Sequence, residues 1–164
     1  MVLVAAAALI FGGGCGGGKK PITELQRKEA AHLAAEAQFA LTMRDYARAE
    51  AALAKAAAEC PDTGTYWISL GGARMRLGNR AGAKSAYQAG LKAYEIEAGQ
   101  NPTLAEPWLK QIYVMALLGR LDEGRKLIEV TAKRFPGDRG VRLFVEEKQF
   151  DQMLADLGFK QEAL

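Results

Sequence analysis

Histidine occurs once in the 164 residues, at His32, and cysteine twice, at Cys15 and Cys60. A zinc site needs several such side chains converging, and a nucleophile needs a base beside it. So few residues of these types assemble neither. Carboxylates do not cluster at metal spacing, and the adjacent Glu146 and Glu147 read as a solvated helix face. An enzyme is therefore not expected, and neither is a cofactor or a metal. Net charge is also scarce: 22 Lys and Arg stand against 19 Asp and Glu, leaving +3. The charges alternate in sign instead of gathering into a basic face, which argues against a nucleic-acid partner. β-Branched residues are sparse from Pro21 onward and no stretch alternates with period two for long, so no sheet is expected.

What is there is helix. Ala, Leu, Glu, Lys, Arg and Gln dominate beyond Pro21, and a chain of this length suits one domain with a real core. Thr23 with Gln26 and Thr103 with Glu106 have the spacing of capping boxes, while Asp45 and Asn79 stand where helices open after short turns.

The breaks recur. "YWISLGGARMRLGNRAGAKSAY" holds Trp67-x-x-Leu70-Gly71, a Gly78-Asn79 turn and Ala83-x-x-x-Tyr87. This resembles the tetratricopeptide repeat pattern, with Arg74 in place of the usual Tyr. One period upstream, "RDYARAEAALAKAAAECP" repeats the second half, with Ala49, Ala56 and Pro61; its first helix has Leu33 and Ala37 at the Trp and Gly positions. Downstream, "EPWLKQIYVMALLGRLDEGRKLIEVTAKRFP" supplies Trp108, Gly119, Gly124, Ile128 and Pro136, with Gln111-Ile112 replacing Leu-Gly. The fold expected from the resemblance is all-α. It is an α-solenoid of about three tetratricopeptide helix-turn-helix repeats, at 30–63, 64–100 and 105–138, within a domain of residues 23–159.

Small residues let helices approach closely, so Ala37, Ala49, Gly71, Ala83 and Gly124 are expected contact points, with Trp67, Tyr87 and Trp108 filling the space beside them. Such repeats bury a face only by stacking. A capping helix over 139–157 is expected to close the stack with Leu143, Phe144, Phe150, Met153, Leu154 and Leu157. The interval from Trp67 to Trp108 is 41 residues. The seven added residues read either as nearly two extra turns on a second helix, about 10 Å, or as a longer loop around Gly99 to Pro102.

The front of the chain is a separate matter. "LIFGGGCGGGKKP" matches the start of a phosphate-binding loop, but Lys20 stands where a hydroxyl is needed and no alternating strand and helix pattern follows. The apolar run before it has the length of a signal peptide and is too short to span a bilayer. Gly13, Gly14 and Cys15 resemble the lipobox of bacterial lipoproteins; the alternative is an uncleaved apolar tail. The resemblance implies a signal peptide over 1–14, a lipidated Cys15, and a tether over 15–22. It also implies export to the periplasmic side of the envelope, with Gly16 after the cysteine favouring the outer membrane. Cys60 is then alone and expected to be a small buried side chain at a helix end.

As a family, tetratricopeptide arrays bind proteins in the concave groove made by their first helices. Carried over by phase, that groove comprises Gln38, Leu41 and Thr42; Ile68, Gly72, Met75 and Arg76; and Leu109, Lys110, Tyr113 and Leu117. Leu41 and Leu117 fit core packing equally well. The carboxylate clamp of the chaperone-type members falls on Ala34, Gln38, Ser69, Glu106 and Lys110, of which only Lys110 has the chemistry. The resemblance implies a non-enzymatic scaffold, anchored through Cys15, that holds a protein partner in the cell envelope. This is the role of repeat lipoproteins that assist pili, secretins or outer-membrane machines. The alternative is a permanent subunit of one large complex or of a self-assembly.

Overall fold

Three turns of one kind set the architecture. Arg44, Gly78 and Gly119 each adopt a left-handed backbone, with φ of 59°, 76° and 70°. The following amide in each case reaches back to a carbonyl five residues earlier: Asp45 to Ala40 at 2.9 Å, Asn79 to Arg74 at 2.8 Å and Arg120 to Met115 at 2.8 Å. This closure satisfies the last carbonyls of a helix and reverses the chain. Around the turns lie the helices α1 (Glu24–Thr42) and α2 (Tyr46–Glu59), α3 (Gly64–Arg76) and α4 (Arg80–Gln100), and α5 (Glu106–Leu117) and α6 (Leu121–Arg134). The computed structural model describes residues 21–164. The signal segment, Cys15 and most of the tether expected from the sequence lie outside the described residues.

The expected caps at Thr23, Asp45 and Asn79 are present. Thr23 and Gln26 exchange their bonds at 3.0 and 3.2 Å, Asp45 accepts from the Arg48 amide at 3.1 Å, and Asn79 from the Gly82 amide at 2.9 Å. The expected Thr103 box does not form. α5 starts from Ala105 without a side-chain cap, and Pro107 in its first turn has no amide to satisfy. The first pair also begins earlier than position 30, because the Thr23 box starts α1 at Glu24.

Each helix packs on its neighbours in chain order, so the described residues form an all-α, solenoid-like stack of helix pairs. Ala37, Ala49, Ala83, Gly71 and Gly124 are all buried. The first end of the stack is nearly an alanine core, from Ala37 and Ala40 to Ala52 and Ala57 around Leu53 and Leu70. Larger side chains take over further along: Tyr87, Leu91, Tyr94, Ile112, Leu117, Phe150 and Phe159. Cys60 is buried at the end of α2, its Sγ 3.7 Å from the Gln26 carbonyl oxygen.

The seven extra residues lengthen a helix. α4 has 21 residues where α2 and α6 have 14, and the added turns are held. Tyr94 is buried against Gly64, and its carbonyl accepts from Gln111 Nε2 at 3.2 Å.

The single capping helix expected over 139–157 is instead broken into two, α7 (Arg139–Glu146) and α8 (Gln149–Ala155), and a further helix, α9 (Leu157–Glu162), follows. Lys148 breaks the first from the second with a left-handed φ of 51°. Geometry explains the break, since Phe144 and Met153 are nine residues apart and would face opposite ways on one straight helix. Reversing at Lys148 lets both pack against the same core. α7 and α8 thus form a shortened fourth helix pair. Asp156 ends α8 and caps α9, accepting from the Phe159 amide at 2.8 Å. Leu157, expected to cover the stack, is 75% exposed.

Candidate binding groove

The faces of α1, α3 and α5 line a trough. One part of it, a cavity of about 400 Å³, is bounded by Leu41, Thr42, Ile68, Gly72, Arg76 and Tyr113, together with Ser69, Arg44 and Tyr46. A second part, about 370 Å³, is bounded by Ile68, Ser69, Leu109, Lys110 and Tyr113 with Tyr94 and Glu106. Ile68, Ser69 and Tyr113 belong to both, so the surface is continuous across α3 and α5.

Most of the residues expected in the groove meet there. Met75 contributes differently, packing partly buried against the core, and Gln38 is exposed on α1 outside the two cavities, its carbonyl accepting from Thr42 Oγ1 at 3.0 Å. Leu117 is a correction: with α9 in place it is 0% exposed, packs as a core residue and lines neither cavity. Its place at the last turn of α5 points it inward among Ile112, Met115 and Tyr87. Lys110 pairs with Glu106 at 2.8 Å and lies 5.4 Å above the Tyr94 ring. Burial works against its charge, but the hydrogen bond and field of Glu106 outweigh it and hold the ammonium pKa above its usual value.

The sequence reading missed the segment that follows α8. α9 folds back onto α3. Phe159 is buried edge-on against Tyr113, with ring centroids 5.8 Å apart. Arg76 donates to Gln161 Oε1 at 2.6 Å and lies 3.6 Å from the Glu162 carboxylate. The Tyr87 hydroxyl donates to the Glu162 carbonyl at 2.6 Å, and the Leu164 amide donates to the Leu117 carbonyl at 2.9 Å. A Cβ built on Gly72 would stand 3.7 Å from the Glu162 carboxyl. Burial first, and the Glu162 charge second, push the phenols of Tyr87 and Tyr113 up from their ordinary values, so both are neutral at neutral pH and Tyr87 can donate to the Glu162 carbonyl. Nothing local in "LGFKQEAL" announces this arrangement, because its ring, hydrogen-bond and ion-pair partners lie 46 to 86 positions away along the chain.

Among the described residues no group of three His, Cys, Asp or Glu is placed to hold a metal ion, and His32 is exposed. The buried Cys60 thiol has its pKa raised by burial, with Arg27 opposing. No described helix is long and apolar enough to cross a membrane. Comparison with protein-family models and with characterised proteins yields no match to this chain.

Proposed function

We propose that this chain is a non-enzymatic scaffold of the tetratricopeptide type, which binds a protein partner in the trough along α1, α3 and α5. The observation that carries the reading is the continuity of that trough. It combines apolar, aromatic and guanidinium surface, the chemistry that suits protein interfaces, with Ile68, Ser69 and Tyr113 common to both of its parts. The left-handed turns at Arg44 and Gly78, 34 residues apart, have the period of the tetratricopeptide unit. In this reading the short apolar run ahead of Cys15 directs export. Acyl chains on that cysteine hold the domain at the periplasmic face of the outer membrane, where it supports assembly of a larger envelope complex. A palmitate analogue is expected to label the parent chain and not a Cys15→Ser variant.

The decisive experiment places a photo-crosslinking residue at Ser69, in the trough, or at Lys92, exposed on α4. In solubilised envelopes, a partner adduct from Ser69 and none from Lys92 supports the reading. Equal adducts from both positions, or none from Ser69, refute it.

One observation favours a second reading, in which the chain is a permanent subunit. Leu25, Phe39 and Met43 are 76%, 61% and 66% exposed and share one side of α1 by helical phase. A monomer by light scattering over the micromolar range would eliminate self-assembly through that side.

A further inference from the structure

We propose that residues 156–164 are a tethered occupant of the groove, seated where the partner binds. The partner is then a helical segment of the same chemistry, with an aromatic ring, a carboxylate three residues later and an aliphatic side chain two beyond. This rests on the scaffold reading and specifies its ligand. The seat is built from two kinds of contact. The hydrogen bonds made by the Tyr87 hydroxyl and the Leu117 carbonyl, at 2.6 and 2.9 Å, engage backbone groups of the segment, ties that any incoming peptide of matching path can make. Phe159 against Tyr113, and Arg76 against Gln161 and Glu162, read side chains and set the preference.

The hold is shallow and hinged. α9 is six residues long, and within it only Phe159 is buried. Asp156 is extended, with φ −63° and ψ 134°, and separates α9 from α8, whose Phe150, Met153 and Leu154 supply its own packing on the core. Swinging about Asp156 therefore frees α9 and leaves the α7–α8 pair in place.

Charge says what replaces it. The part of the trough beside α9 is lined by Arg44 and Arg76, and Glu162, from the occupying segment itself, is the only carboxylate lining that part. With the segment withdrawn this part of the trough holds two guanidinium groups and no acid, while Glu106 in the other part is already paired with Lys110 at 2.8 Å, so an acidic, aromatic helix is the matched ligand. A longer helix would also reach Leu41 and Ile68, which α9 leaves uncovered. Tethering gives the chain's own segment an effective concentration on the order of millimolar, so a free peptide of equal local affinity competes poorly until the tethered copy is weakened.

The test uses the full chain and a fluorescent peptide with the sequence of residues 156–164, DLGFKQEAL, followed by anisotropy. A Phe159→Ala chain is expected to bind the peptide about tenfold or more tightly than the parent, and a peptide with alanine at that phenylalanine is expected not to bind. Equal affinity for both chains, or binding by neither, overturns the proposal. Hydrogen exchange on the unmodified chain needs no variant to fold. Amides 159–164 are expected to exchange ahead of those in α3 and α4, and faster still under excess peptide. Exchange in a single event with α4, unchanged by peptide, overturns it. Both measurements are independent of any cellular partner, so their failure is distinct from failure of the scaffold reading.

Discussion

Replacing Gly71 with alanine tests the packing argument at its tightest point. A Cβ built there would lie 2.2 Å from Tyr87 Cε1 and 2.4 Å from Cδ1, where ordinary contact begins at 3.4 Å. The ring cannot step aside cheaply, being fully buried in the core it shares with Leu91, Ile112 and Leu117. Either α3 and α4 separate or Tyr87 leaves its seat, and overpacking of this kind costs about 1–3 kcal/mol. Alanine returns about 1 kcal/mol of helix propensity. Because the overlap is severe and falls on a ring, the cost is placed at the upper end, leaving a net loss of about 1–2 kcal/mol. At roughly 2–4 °C per kcal/mol for a domain of this size, the melting temperature falls by about 2–8 °C. Urea unfolding followed by far-UV circular dichroism measures the loss directly. A Gly71→Ala chain as stable as the parent would refute the close approach of α3 and α4 at this glycine.

Other outcomes follow from the same coordinates. Gly99→Ala, in the last turns of α4 with nothing within 4 Å of the new methyl, is expected to stabilise by about 0.5–1 kcal/mol in the same urea assay, a change of opposite sign to Gly71→Ala. Arg74 joins Glu50 of α2 at 2.9 Å to the Gly82 carbonyl of α4 at 3.2 Å, and Arg74→Ala is expected to cost about 1–2 kcal/mol, read as a lower urea midpoint at unchanged slope. Burial raises the folded pKa of Tyr87, Tyr94 and Tyr113. Stability is therefore complete below the unfolded phenol value near 10 and is lost as pH rises beyond it toward the folded values; tyrosinate absorbance that rises in a single step near 10 while the fold persists would contradict this. In a Cys15→Ser chain, Cys60 is expected to resist a thiol reagent until urea opens the first pair, because the sulfur is buried and its pKa is raised.

How far the residues announced this structure depends on how local each signal is. Trp67-x-x-Leu70-Gly71 and Ala83-x-x-x-Tyr87 encode a contact between helices close in sequence, and Gly71 does meet Tyr87. Asp45 and Asn79 cap helices through atoms three residues away, and both were legible. The turn at Lys148 was not, because its left-handed backbone carries no glycine to mark it. Of the trough, Ile68, Gly72 and Arg76 on α3 and Leu109, Lys110 and Tyr113 on α5 were placed by phase along the helices, while Met75 packs against the core. Leu117 was ambiguous by phase alone, and what decides it is burial from several helices at once. The return of α9 was invisible for a stronger reason. Phe159 finds Tyr113, and Glu162 finds Tyr87, only after three helix pairs have been stacked, and no periodicity encodes a contact made by the finished stack.

The extra turns of α4 make one joint of the stack unlike the others. Repeat arrays grow by duplication when every joint is interchangeable with every other. The joint after Gln100 is not, since the Tyr94 carbonyl is met by Gln111. A second copy of the α3–α4 unit spliced in at that point would bring Leu70 to the same place and offer no donor. Copying that helix pair into the middle of the stack therefore forfeits one buried side-chain hydrogen bond, worth about 0.5–1.5 kcal/mol.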